Sequence, residues 1–180
     1  MCSKNLYGRA KKVKKIRIAG IVEESVVDGP GIRYVVFTQG CKHNCPGCHN
    51  PETHSFNGGE EKSIEEIISE IKENPLLTGV TFSGGEPFEQ AEELAKLAVE
   101  IKKLGLDILV YSGYTFEKIM RLSKQRRGWA HLLQLTDILI DGPFIISKRS
   151  LDLKFRGSSN QRIIDVQKSL KEGRAVVTEP

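Results

Sequence analysis

The sequence predicts an α/β fold: a partial, open (β/α) barrel of mostly parallel strands. Three observations lead there. Strand-like and helix-like stretches alternate at short spacing from residue 63 onward, the pattern of a sheet built from strand–helix–strand units. The strand cores "GVTFS", "DILVY" and "DILI" are nearly continuously apolar, as strands covered on both faces are. Every unusual motif, "GCKHNCPGC", "SGGEP", "YSGY" and "DGPF", directly follows a strand, and such sheets gather ligands at the C-terminal ends of their strands. At 180 residues the chain is short of the roughly 250 of a closed eight-stranded barrel, so the barrel is expected to stay open, with right-handed crossovers.

Each element has its own signal. "IRIAGIVEES" (16–25) reads as a first strand and "VDGPGIR" as a turn, because Gly29-Pro30-Gly31 excludes regular structure. "IRYVVFTQ" is rich in β-branched and aromatic residues and reads as a strand. Ser63, with Glu66 three residues on, forms a capping box for a helix whose apolar face is Ile64, Ile67, Ile68 and Ile71. "GVTFSGGEP" is a strand ending in a glycine pair, and "FEQAEELAKLAVEIKKLG" is the longest helix, closed by Gly105. "LDILVYSG" is a strand and "TFEKIMRLSKQ" a helix capped by Thr115. "GWAHLLQL" is a weaker helix in which Trp129, Leu132, Leu133 and Leu135 serve packing. "DILIDGPF" is a buried strand, and "QRIIDVQKSLKEG" closes the chain as a strand, a short helix, or both.

One domain spanning 1–180 is expected, with 1–14 as a mobile basic arm. Lys11, Lys12, Lys14 and Lys15 cluster there without the interleaved aromatics of a stacking platform, so no nucleic-acid partner is expected. The N-terminal stretch lacks the apolar core and cleavage site of a signal peptide, and no apolar run reaches membrane-spanning length. A cytoplasmic location follows. The chain has four cysteines. Three sit too close together to staple distant elements, so a disulfide framework is excluded. Cys2 stands apart as an incidental thiol.

The three are Cys41, Cys45 and Cys48, in "FTQGCKHNCPGCHNPETH", with Pro46-Gly47 turning the chain between the last two. Reduced thiolates are soft ligands, and such a cluster of them binds metal. Two readings compete. In one, zinc takes the three cysteines and His49 or His54. In the other, an iron–sulfur cluster is held by three cysteines and one iron is left open. The compact Cys-x3-Cys-x2-Cys spacing favours the second, because structural zinc sites more often pair separated Cys-x2-Cys halves. A missing ligand leaves a coordination position for a small molecule, as an open zinc does.

"CKHNCPGC" resembles the signature of radical S-adenosylmethionine (SAM) enzymes, and "SGGEP" resembles their SAM-binding glycine motif. The resemblance implies a 4Fe-4S cluster on Cys41, Cys45 and Cys48, with SAM chelating the open iron. It implies reductive cleavage of SAM to methionine and a 5′-deoxyadenosyl radical. Gly84 and Gly85 lack a Cβ and let the backbone approach the methionine end; Glu86 either contacts SAM or caps the next helix. Gly47 and His49 flank the last ligand and would border the adenine, although His49 reads equally as a loop histidine.

"VDGPGIRYVVFTQGC" and "GCHNPETH" further resemble the activating enzymes of glycyl-radical proteins. "LIDGPF" with "FRGSSNQRIID", and the short length, resemble the activating proteins of anaerobic ribonucleoside-triphosphate reductase. The pyruvate formate-lyase activases share the first half but carry a bulky residue where this chain has Gly47. The implied reaction abstracts an α-hydrogen from a glycine of that partner protein, a small flavodoxin- or ferredoxin-like protein being the electron donor. An open barrel side would admit the glycine loop. Asp141 either frames SAM or a cation, or is a turn aspartate. Arg156, Ser158, Ser159 and Asn160 form either part of the mouth or a simple turn. Asp28 and Arg33 form a local ion pair or help dock the partner. The alternative of another class is a non-catalytic, zinc-stabilised binding module.

Overall fold

The computed structural model describes residues 14–179. The basic arm and Cys2 therefore lie outside the described residues, apart from Lys14. The elements are β1 (Lys15–Ser25), β2 (Arg33–Thr38), β3 (Glu60–Ser63), α1 (Ile64–Glu73), β4 (Gly79–Gly84), α2 (Ala91–Lys103), β5 (Asp107–Ser112), α3 (Phe116–Leu122), α4 (Trp129–Leu135), β6 (Ile138–Asp141), β7 (Arg162–Asp165) and α5 (Val166–Glu172), with three short 3₁₀ turns between them.

All seven strands join one open sheet in the order β3-β1-β2-β4-β5-β6-β7. The central four, β2, β4, β5 and β6, are parallel, as their apolar cores predict. The flanking strands β1, β3 and β7 pair antiparallel. β3 was not visible in the sequence. Its "EEKS" is polar because it is an edge strand, registered on β1 with Lys15 opposite Ser63 and Arg17 opposite Glu61.

Side chains alternate across the sheet, as a period of two requires. Val36, Val80, Phe82, Ile108, Val110, Leu139 and Ile164 face the main core, which buries side chains from all five helices. Each fully buried large aliphatic or aromatic side chain there contributes about 1.5–3 kcal/mol. Leu109, Ile140 and Ile163, one residue out of phase, form a separate small cluster on the opposite face. The helices thus cover one face and leave the other concave.

Local signals read from the sequence recur as geometry. Ser63 and Glu66 make the reciprocal capping box, and Ile64, Ile67 and Ile71 are buried. Thr115 caps α3. The last segment is both strand and helix. Trp129 is buried between Phe88 and Tyr114, at ring-centroid distances of 5.2 and 5.0 Å. Among the described residues no helix is long and apolar enough to cross a membrane.

Candidate functional site: a thiol-lined cleft at the strand tips

A cleft of about 510 Å³ opens at the C-terminal ends of the parallel strands. Its lining includes Cys41, Cys45, Cys48, His49, Gly84, Gly85 and Arg156. The structure therefore brings the cysteine loop and the glycine motif to one hollow. All three cysteines are free. The loop that carries them bends through Asn44 (φ 48) and Gly47 (φ 71), left-handed conformations that suit these residue types. Burial pushes the Cys41 thiol up from its ordinary value, against backbone hydrogen bonds at His43 and Asn44. Burial also raises Cys45. Coordination to a metal reverses that balance, because a ligating thiol is deprotonated.

The cysteine loop is bonded to the glycine motif through backbone. Gly85 N donates to Thr38 O (2.8 Å) and Glu86 N to Gly40 O (2.9 Å). A Cβ on Gly85 would sit 2.5 Å from Gly40 O, and one on Gly84 (φ +86) 2.7 Å from Thr38 N. Both glycines are thus required by close packing of β4 on β2 as well as by the hollow they line.

Other predicted residues fall in different places. Glu86 takes the capping role of the two the sequence offered: its carboxylate is fully buried and accepts from Phe88 N (3.1 Å), Ser112 Oγ (2.9 Å), Gly113 N (2.9 Å) and His43 Nε2 (2.8 Å). It is not part of the cleft lining. Asp141 is buried and accepts from Phe116 N (2.7 Å) and Arg162 Nε (3.0 Å); Gly142, its neighbour, reaches the cleft instead. Asp28 lines the cleft, but the Asp28–Arg33 ion pair does not form. Arg33 is fully buried beneath the sheet and pairs with Asp107 (2.6 Å), while donating to Thr81 Oγ1 (2.7 Å) and Val80 O (3.0 Å). Asp28 bonds Ser25 instead. Gly47 packs against Ile146, and His49 leans on Phe144 at 4.9 Å between ring centroids. In the turn after "FRG", Ser158 is buried and accepts from Ile145 N (3.2 Å).

The fit of an iron–sulfur cluster rests on the donor set and the shape of the hollow. Three free thiols face a cleft large enough for more than one ion. Among the described residues, no three His, Cys, Asp or Glu side chains are gathered as a single metal ion needs. Two cleft residues, His54 and Arg156, each have a buried side-chain nitrogen without a hydrogen-bond partner, which marks a wall shaped for polar contents. The residues fit the group. Phe155, a non-glycine residue at φ 57, also borders this cleft and a second cavity of about 360 Å³ lined by Pro30, Leu109, Ile138, Ile140 and Ile163.

With this geometry in view, comparison with known proteins identifies the class. Residues 27–164 match the family described as "4Fe-4S single cluster domain", and the chain belongs to that family. Relatives narrow it. The chain is 36% identical over 146 residues to the anaerobic ribonucleoside-triphosphate reductase-activating protein of Haemophilus influenzae, covering 77% of this chain and 90% of that one. It is 33% identical over 144 residues to the protein of the same name from Escherichia coli (strain K12), covering 76% and 90%. The namesake of Enterobacteria phage T4 is 33% identical over 146 residues, covering 76% and 86%. The chain is a member of this group of activating proteins. The crystal structure of QueE from Escherichia coli overlaps 56% of this chain and 53% of that one at TM-score 0.43 and 18% identity, too partial a likeness to carry weight.

Proposed function

We propose that this chain is a radical SAM activating enzyme that installs a glycyl radical on anaerobic ribonucleoside-triphosphate reductase. The observation that carries the reading is the convergence of three free thiols and the Gly84–Gly85 backbone on one cleft. The relatives' shared name supplies the partner. Cys41, Cys45 and Cys48 hold the cluster and leave one iron for the amino and carboxylate groups of SAM. When bound, the cluster and SAM would supply the chemistry: one-electron reductive cleavage of SAM to methionine and 5′-deoxyadenosine, coupled to removal of the glycine α-hydrogen.

The chain's own residues position and enclose. Gly84 and Gly85 give the methionine end of SAM close access to backbone N–H and C=O groups. Gly47, Cys48 and His49, with Phe144 behind the imidazole, border the nucleoside. Arg156, held by its Nη1 bond to Gln161 O (3.2 Å), adds a positive charge to the cleft lining. Glu86 and Asp141 act from behind the cleft, anchoring the strand tips that carry these groups. A small reducing protein supplies the electron, and the reaction takes place in the cytoplasm.

Anaerobic reconstitution tests this. About four irons per chain, no zinc, SAM cleavage under dithionite and a glycine-centred paramagnetic doublet on the added reductase support it. Cys45→Ala should abolish cluster assembly and cleavage. A colourless protein holding one zinc and leaving SAM intact would refute it. A doublet only on pyruvate formate-lyase would reassign the partner.

A further inference from the structure

The cysteine loop carries a second set of contacts that ligation does not use. Between Cys41 and Cys45 stand Lys42 and His43, and both reach the turn that follows the glycine pair. His43 Nε2 lies 2.8 Å from Glu86 Oε2. Lys42 Nζ lies 2.6 Å from Glu89 Oε2, and Glu89 is itself nearly buried and accepts from Tyr114 Oη at 2.9 Å. The two pairs are adjacent rungs joining one loop to one turn.

The His43 rung is the enclosed one. Its side chain is 16% exposed and its partner's is fully buried, whereas Lys42 is 55% exposed. An exposed ion pair contributes little; a bond to a buried carboxylate holds geometry, because leaving it unmade is costly. The imidazole also meets Tyr114 edge-on at 4.4 Å. It lies so close to Gly113 that a Cβ there would be 2.5 Å from its ring. Glu86 is surrounded by donors from the cysteine loop, from its own turn at Phe88, and from the tip of β5 at Ser112 and Gly113. Three loops therefore end on one carboxylate.

We propose that His43 is a positioning residue. Its bond to Glu86 latches the cysteine loop onto the glycine cradle and so sets where the open iron stands relative to SAM. The inference rests on the function proposed above. Loosening the latch leaves all three thiols present but lets the loop shift against Gly84 and Gly85. Partners in the shell around a metal site cost about 10–100-fold in affinity or activity when removed.

The test compares His43→Gln with His43→Phe in the reconstituted full chain. The glutamine amide nitrogen reaches about as far as imidazole Nε2 and can donate to Glu86; phenylalanine keeps the ring against Tyr114 but cannot donate. The readouts are iron per chain and the SAM concentration that half-shifts the paramagnetic spectrum of the reduced cluster. For His43→Phe, a requirement for SAM raised about tenfold or a loss of iron loading is expected. His43→Gln should stay within about threefold of wild type on both measures. Two variants that behave alike, both normal or both defective, would overturn the latch. A wild-type cluster spectrum indifferent to SAM would overturn the function itself, and the latch with it.

Discussion

Adding a single methyl group at Gly85 probes the joint between cluster loop and glycine cradle. The nearest atoms to the new Cβ are Gly40 O at 2.5 Å, with Gly40 C and Thr38 O both at 3.0 Å. All are backbone, so no side chain can swing aside. Real Cβ atoms essentially never approach below 3.0 Å, and the two segments must part by about half an ångström. Overpacking of this kind costs about 1–3 kcal/mol. The strain falls on the Gly85 N–Thr38 O and Glu86 N–Gly40 O bonds, and Gly40 is the residue before Cys41. Gly85→Ala is expected to lower the urea unfolding free energy by about 1–3 kcal/mol and to weaken SAM binding at least about tenfold, since misplacement by about 1 Å can cost 10²-fold. Gly105→Ala is the control. Unlike Gly85 it has a positive φ (+78), and nothing lies within 4 Å of its Cβ, so it should lose about 1–2 kcal/mol from backbone strain alone and bind SAM normally. A Gly85→Ala protein with wild-type stability and SAM affinity would refute the claim that the joint is tight.

Arg33→Ala should destabilise the fold by about 1–3 kcal/mol in urea unfolding, because it leaves the buried Val80 O and Thr81 Oγ1 without their donor, while the half-exposed Asp107 can turn to solvent; unchanged stability would count against that role. Ser63→Ala should cost about 1 kcal/mol through loss of the α1 cap, read by the same assay. Burial raises the Glu70 carboxyl, but bonds from Lys62 and the Tyr34 hydroxyl outweigh it and hold it below its ordinary value. Its contribution is therefore complete above the unfolded pKa of about 4.5 and drains away as pH falls through the lower folded value. Tyr34→Phe should cost about 1 kcal/mol at neutral pH and flatten the loss of stability as pH falls below about 4.5; an unchanged acid slope would count against that bond.

Much of this arrangement could be read along the chain because its signals are local. The capping box at Ser63 and Glu66, the apolar runs of β4, β5 and β6 and the spacing of the three thiols each occupy a few consecutive residues. What escaped depends on distance in sequence. His43 meets Glu86 across 43 positions and Arg33 meets Asp107 across 74, and no periodicity announces either pair. Glu86 illustrates the limit: its position in "SGGEP" suggests a ligand contact, yet three donors from outside its own turn draw the carboxylate inward. β3 escaped because an edge strand with one neighbour needs no apolar run.

Phe155 forms a wall of both hollows on the concave side of the sheet, and its left-handed backbone persists because the surrounding packing holds it there. Two rooms that share one partition cannot be resized separately. Anything that crowds one room pushes on the wall of the other, and a smaller side chain at this position would open the two into each other.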